Sequence, residues 1–129
     1  VSAPEGLKYA KTHEWVAITG ETARIGITDF AVQLLSDLVY VDLPKVGQSI
    51  TQGQPFGEIE SVKHVSDLYA PVSGTVTAVN TPLANKLELL NQSPFAEGWM
   101  IEIQLTKPDE LQDLLDTEAY AAHCATEGH

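Results

Sequence analysis

Basic side chains are scarce. Seven Lys and Arg stand against 18 Asp and Glu in 129 residues, for a formal charge of −11. Such a chain cannot hold nucleic acid by simple electrostatics, because Lys and Arg are what displace the phosphate counterions. An anionic membrane surface is disfavoured on the same ground. Cys124 is the only cysteine, so no internal disulfide and no multi-thiolate metal site can form, and a reducing compartment is the simplest setting. No apolar run approaches the ~20 residues of a membrane-crossing helix. Residues 1–6 lead straight into Leu7-Lys8-Tyr9 with no apolar h-region, so no secretory signal is expected in this stretch. A Gly-rich phosphate loop and a nucleophile elbow are missing as well. What is present is 43% hydrophobic residues, enough to pack one core in a single domain over 1–129.

Alternation dominates the first half of the chain. His13-Glu14-Trp15-Val16-Ala17-Ile18 reads as a strand, Thr19-Gly20-Glu21-Thr22 as a turn, and Ala23-Arg24-Ile25-Gly26-Ile27 as its antiparallel partner. Thr28 is placed to cap a short helix over 29–37, with Asp29 in its first turn. Ala31, Leu34, Leu35 and Leu38 follow the spacing of a buried helical face. Further on, Thr81-Pro82 reads as a cap followed by Pro at the first helical position, although Pro82 also suits a turn. Leu83, Leu87 and Leu90 would then form the apolar stripe. Trp99 to Ile103 reads as a returning strand, the counterpart of residues 56–60. Pro108-Asp109-Glu110 opens a C-terminal helix with Leu111, Leu114 and Leu115 inward. Ala119 to Cys124 adds a turn or two, and residues 125–129 are expected to fray.

Turn residues recur at a fixed interval in the middle of the chain. Pro44 and Pro71 are 27 apart, as are Gly47 and Gly74, Gly53 and Asn80, and Pro55 and Pro82. Two copies of a strand-turn-strand unit would make a sheet sandwich with pseudo-two-fold symmetry. Chance coincidence of turn residues in a β-rich chain is the alternative. Residues 56–69 join the two halves and alternate on either side of Lys63 without Gly or Pro near it. They read as a hairpin whose tip carries the lysine, at the sandwich's pseudo-two-fold axis. An ordinary surface lysine that blocks edge pairing is the competing reading. The compact flanks, lacking the Gly or Asn that two-residue hairpins prefer, set this tip apart.

Glu60-Ser61-Val62-Lys63, with Ser66-Asp67 and Ala70-Pro71-Val72-Ser73-Gly74 after it, closely resembles the lipoate-attachment region of the glycine cleavage system H proteins. The resemblance runs through nearly the whole chain: Gly6-Leu7-Lys8-Tyr9, Thr12-His13-Glu14-Trp15, Ile25-Gly26-Ile27-Thr28, Val41-Asp42-Leu43-Pro44, Asn91-Gln92-Ser93-Pro94 and Gly98-Trp99-Met100 occur in the family's order. Generic lipoyl and biotinyl domains share the hairpin lysine without these additions. Biotin carriers usually place Met on both sides of the lysine, where this chain has Val62 and His64. His64 departs from the family, in which a small residue is commoner, and it bears on recognition by the attaching enzyme.

The resemblance implies a mainly β fold with short helices (α+β). Its centre is a pseudo-two-fold lipoyl/biotinyl-type β-sandwich or flattened barrel over about 23–104, with an N-terminal hairpin and helix addition and a C-terminal helical extension over 107–124. It implies lipoate in amide linkage to Lys63, on an arm reaching on the order of 10 Å. Glu60, Ser61, Val62, Ser66 and Asp67 make up the attachment motif. The implied role is a carrier, not an enzyme. Glycine decarboxylase (the P protein) loads an aminomethyl group onto one sulfur, and a tetrahydrofolate-dependent aminomethyltransferase (the T protein) takes the methylene. Dihydrolipoyl dehydrogenase (the L protein) then reoxidises the dithiol. Lipoate-attaching enzymes are further partners. A monomer is implied, in a bacterial cytoplasm or alternatively a mitochondrial matrix, without nucleic acid, membrane or metal. Glu14 and Asp67 are candidate cleft contacts for the cationic end of the loaded arm, against the reading that they are ordinary strand-end carboxylates.

Other constellations are weaker. Glu60, His64 and Asp67 crowd a turn without ligand geometry. His13 reads as a structural strand end, His123 and His129 as tail residues, Cys124 as unreactive, and Trp15 and Trp99 as core or rim. Two other readings stand beside the shuttle: a lipoyl or biotinyl carrier domain of another complex, and a small acidic enzyme or binding module using the carboxylates near His64.

Overall fold

The alternation over residues 13–27 becomes a hairpin, β2 (Glu14–Thr19) paired with β3 (Thr22–Ile27), with Gly20 supplying the positive φ of its turn. The structure, a computed structural model, describes residues 7–35, 37–93, 95 and 97–127, without the side chains of residues 34, 84, 91, 108, 126 and 127. Gly6, Pro94 and His129, singled out in the sequence, lie outside the described residues, as does the Leu34 side chain.

A short β1 (Lys8–Tyr9) precedes the hairpin and pairs with β2. The remaining strands are β4 (Leu38–Asp42), β5 (Ser49–Ile50), β6 (Pro55–Ser61), β7 (Val65–Tyr69), β8 (Gly74–Val79) and β9 (Ile101–Leu105). They form a six-stranded sheet ordered β1-β2-β3-β9-β8-β5 and a three-stranded sheet ordered β4-β6-β7. Ile25, Val76, Ile101 and Ile103 of the first face Val41, Phe56, Ile59 and Leu68 of the second in one buried core. Among the described residues the two sheets share no ladder, so the expected β-sandwich is found and it does not close into a barrel.

The pseudo-two-fold lies in the strand pairings. Exchanging β3, β4 and β6 for β7, β8 and β9 maps the β4–β6 ladder onto β8–β9 and the β3–β9 ladder onto β6–β7. The strand equivalent to residues 56–60 is therefore β9, which starts at Ile101 and runs to Leu105, two residues later than the expected Trp99 to Ile103. The 27-residue interval does not mark this symmetry, and that reading is corrected. Gly47 has a turn φ of 93°, whereas Gly74 opens β8, where a Cβ would run into the Gln104 carbonyl. Gly53 has a φ of 83°, whereas Asn80 has −80° and turns its amide to the carbonyls of Glu97 and Trp99. Pro55 starts a strand and Pro82 sits in a 3₁₀ segment. The shared residue types serve different local needs.

Several helix boundaries also differ from expectation. Thr28 does cap α1 (Asp29–Leu35): its hydroxyl accepts the Ala31 N–H at 3.3 Å. The helix stops at Leu35, and Leu38 begins β4 instead of closing the helical stripe. Thr81 is inside the 3₁₀ segment Thr81–Asn85, whose cap is Asn80, and a separate α2 (Glu88–Gln92) follows. Leu83 and Leu90 are nonetheless fully buried. Pro108–Asp113 is also 3₁₀, and the C-terminal α-helix is α3 (Thr117–Glu127), longer than the expected turn or two and extending into residues assigned to fraying.

A second cluster fixes α3 to the N-terminal hairpin. Tyr120 stacks on Tyr9 at 4.5 Å, and its hydroxyl meets Thr28 Oγ1 at 2.6 Å and His13 Nδ1 at 2.8 Å. His13 has a φ of 77° in the tight turn between β1 and β2, a conformation that His tolerates better than most non-glycine residues. Trp15 is buried in this cluster and donates from Nε1 to the Ile27 carbonyl at 3.0 Å, its ring lying where a Cβ on Gly26 would be. Trp99 is partly buried beside it, with the Arg24 guanidinium 4.8 Å above its ring.

Candidate functional site

The β6–β7 hairpin ends at the Glu60–Val65 pair, and residues 62–64 make the tip. Three features hold that tip. The Ser61 N–H donates to the His64 carbonyl at 2.8 Å, and the Val62 N–H donates to the Asp37 carbonyl beside β4 at 2.9 Å. The buried Ser61 hydroxyl accepts the N–H groups of Lys63 at 3.3 Å and His64 at 3.0 Å, and donates to the His64 carbonyl at 3.3 Å. One donor and two lone pairs are all a hydroxyl has, so this side chain is fully used.

Lys63 is exposed, between Val62 and Val65, which are 69% and 64% exposed. Among the described residues its ammonium makes no hydrogen bond or ion pair. It is thus an exposed amine on a narrow protrusion that is held by the Ser61 hydroxyl and by the Asp37 carbonyl. His64 is exposed beside it and is not gathered with Glu60 and Asp67 into a ligand set; among the described residues no group of three or more His, Cys, Asp or Glu could hold a metal ion.

Register places the surrounding carboxylates. Asp42, Glu58 and Asp67 stand opposite one another across β4, β6 and β7, and Tyr40, Glu60 and Val65 form the next row toward the tip. All six point to the outer face, because the alternate residues Val41, Ile59 and Leu68 are in the core. Ser66 pairs with Ile59 on the inner side. Among the described residues none of these carboxylates has a cationic partner. Any molecule reaching Lys63 over this sheet crosses an acidic surface.

Glu14 is in a different setting. It opens β2, is 1% exposed, accepts the Tyr69 N–H on Oε2 at 3.1 Å and is hydrogen-bonded by the Thr12 hydroxyl. Burial pushes its carboxyl from 4.5 up to about 7, the hydrogen bonds from Thr12, the Tyr69 backbone and its own backbone pulling the other way with less force. Its partners Thr12 and Tyr69 line a cleft of about 330 Å³ together with Lys11, Gln52, Pro71 and Asp113, while the buried Glu14 itself does not reach the lining. Asp67 is two residues from Tyr69 along β7 but faces outward and is not among the cleft's lining residues. The fold therefore brings Glu14 to the far end of the strand that starts at the lysine tip, and leaves Asp67 on the outer face between the two.

Sequence reasoning found the tip and missed what holds it. Nothing marked Ser61 as the acceptor for two turn amides, although a Ser two residues before the lysine, with no Gly nearby, was the available signal. Thr12 and Tyr69 as partners of Glu14, and the meeting of His13, Thr28 and Tyr120, had no local signal at all.

Comparison with known proteins agrees with this geometry. The sequence model of the family described as Glycine cleavage H-protein matches residues 7–127. The glycine cleavage system H protein of Micrococcus luteus is 54% identical over 124 residues, covering 95% of this chain and 97% of that relative. That of Nitratidesulfovibrio vulgaris is 53% identical over the full length of both chains. The crystal structure of a glycine cleavage system H protein from Mycobacterium marinum superposes with a TM-score of 0.86 at 38% identity, covering 93% of this chain and 97% of that one. With matches of this extent in sequence and in fold, the chain belongs to the glycine cleavage H-protein family.

Proposed function

We propose that Lys63 carries a lipoyl group in amide linkage, and that the chain is the shuttle of the glycine cleavage system. It passes between a decarboxylating partner (the P protein), a tetrahydrofolate-dependent aminomethyltransferase (the T protein) and dihydrolipoyl dehydrogenase (the L protein). The observation that carries this reading is the exposed amine at the tip of a hairpin clamped on both sides. Those residues suit such a group: the amine is accessible for acylation, and amide formation removes a charge that has no partner among the described residues. Bound there, lipoate supplies a strained disulfide that accepts a carbon fragment on one sulfur and is later re-formed by thiol–disulfide exchange. The chain itself works as a carrier and not a catalyst, keeping the tethered end at a high effective concentration near whichever partner has docked. A monomer in a bacterial cytoplasm suits this role, in keeping with bacterial relatives such as that of Micrococcus luteus.

Glu14 and Asp67 receive a cationic amine at the end of the arm. The four steps from Val65 to Tyr69 cover about 13 Å at ~3.3 Å per strand residue, the same order as the reach of a lysine arm extended by an acyl chain. Asp67 lies along that path and Glu14 at its end, where a cation would favour the ionised carboxylate. Replacing both with the neutral amides is expected to shorten the lifetime of the loaded carrier; an unchanged lifetime removes this role. For the attachment itself, Lys63→Arg should abolish both the lipoyl mass increment and aminomethyl transfer in the reconstituted system. Transfer retained by that variant would overturn the reading. A biotin increment in its place would favour a biotinyl carrier, and no increment with intrinsic turnover would favour an enzyme.

A further inference from the structure

We propose that Ser61 is the positioning residue that sets the shape in which Lys63 is offered for acylation. The proposal rests on the reading that Lys63 is the acylated residue. A two-residue hairpin ordinarily needs positive φ at its tip, hence Asn or Gly. Among the described residues only His13 and three glycines, none of them in the tip, have positive φ. Val62 is β-branched and would be strained there, and so would a lysine. The tip closes another way. The Ser61 hydroxyl takes the N–H groups of both Lys63 and His64, and returns its own proton to the His64 carbonyl that the Ser61 N–H already binds. A side chain thereby does what a left-handed backbone would do elsewhere, and the positions facing an incoming enzyme stay free for Val62, Lys63 and His64. On the β4 side the Val62 N–H is held by Asp37. The lysine side chain is then the mobile part of an otherwise fixed tip.

Without the hydroxyl, two tip amides lose their acceptor and the turn spreads over other conformers. An enzyme that binds one tip shape sees only the fraction in that shape, so its apparent affinity falls by that fraction while the bound complex reacts normally. The test is acylation of the full chain by a lipoate-attaching ligase with lipoic acid and ATP, followed by intact mass: the acid displaces pyrophosphate from ATP to give the acyl-adenylate, and the lysine amine then displaces AMP and loses a proton as the amide forms. Ser61→Ala should raise KM for the carrier five- to tenfold at nearly unchanged kcat and keep a cooperative unfolding transition; Ser61→Thr, which keeps the hydroxyl, should return KM to within about twofold. Amide exchange reads the same device without the ligase: Lys63 and His64 should exchange faster in Ser61→Ala while the rest of β6 and β7 is unchanged. A wild-type KM in Ser61→Ala overturns the proposal, as does unaltered exchange at those two amides. This exchange measurement decides the matter should the threonine variant not fold. If Lys63→Arg is still acylated, the underlying assignment fails instead, so the two failures are distinguishable.

Discussion

Replacing Glu14 with Gln should make the protein more stable at pH 8 and leave it nearly unchanged at pH 5. The folded carboxyl keeps its proton up to about pH 7, because burial disfavours the anion, whereas the unfolded chain releases it near 4.5. Between those values the native state holds more protons than the unfolded one, so rising pH weakens the fold across that window and no further above it. The interval from 4.5 to about 7, at 1.36 kcal/mol per pH unit, comes to about 3 kcal/mol. Gln fills the same space and its carbonyl can still accept the Tyr69 N–H, but it has no proton to lose. Urea unfolding of both proteins from pH 4.5 to 8.5 should therefore show a difference that opens with pH and levels off above 7. Other titrating groups cancel in that difference. In thermal terms the gap is roughly 10 °C for a domain of this size. A difference that stays constant across the window would refute the claim that Glu14 is buried and desolvated.

Three further outcomes follow from the packing and the charge pattern. Gly57→Ala would drive a Cβ into the Asp42 carbonyl of the neighbouring strand, a backbone atom that cannot swing aside, and should cost about 3 kcal/mol, or some 10 °C in Tm; an unchanged Tm would mean that β4 and β6 are less tightly apposed. Tyr120→Phe removes the hydroxyl shared by Thr28 and His13 and should lower unfolding free energy by about 1–3 kcal/mol, with faster amide exchange in α3; wild-type exchange there would show that the ring stack alone holds the helix. The row Asp42, Glu58 and Asp67 should make productive encounter with the transferring partner slow severalfold as salt rises toward 0.5 M, and Glu58→Lys should flatten that response; a rate indifferent to salt would deny the face any steering role.

What was legible in the sequence was what local chemistry dictates. The alternation in residues 22–27 and Gly20 located the first hairpin, the Thr28 hydroxyl announced α1, and residues 56–69 placed Lys63 at a tip. The 27-residue interval misled because Pro and Gly report local backbone need and not which strands pair: Gly47 turns the chain, while Gly74 makes room for a neighbouring carbonyl. Leu38 fits a helical stripe by spacing, yet joins a sheet because β6 offers it a ladder. At the candidate site the lysine and its motif were visible, since they are contiguous. The setting of Glu14 was not, because its Tyr69 partner is 55 residues away and burial is a property of the whole fold.

Whether the amine of Lys63 carries the proposed lipoyl group is decided by intact mass with peptide mapping after exposure to the attaching enzyme. One lipoyl increment is expected, found on the peptide containing Lys63 and lost in Lys63→Arg. An increment on another lysine, or one that persists in that variant, would contradict it.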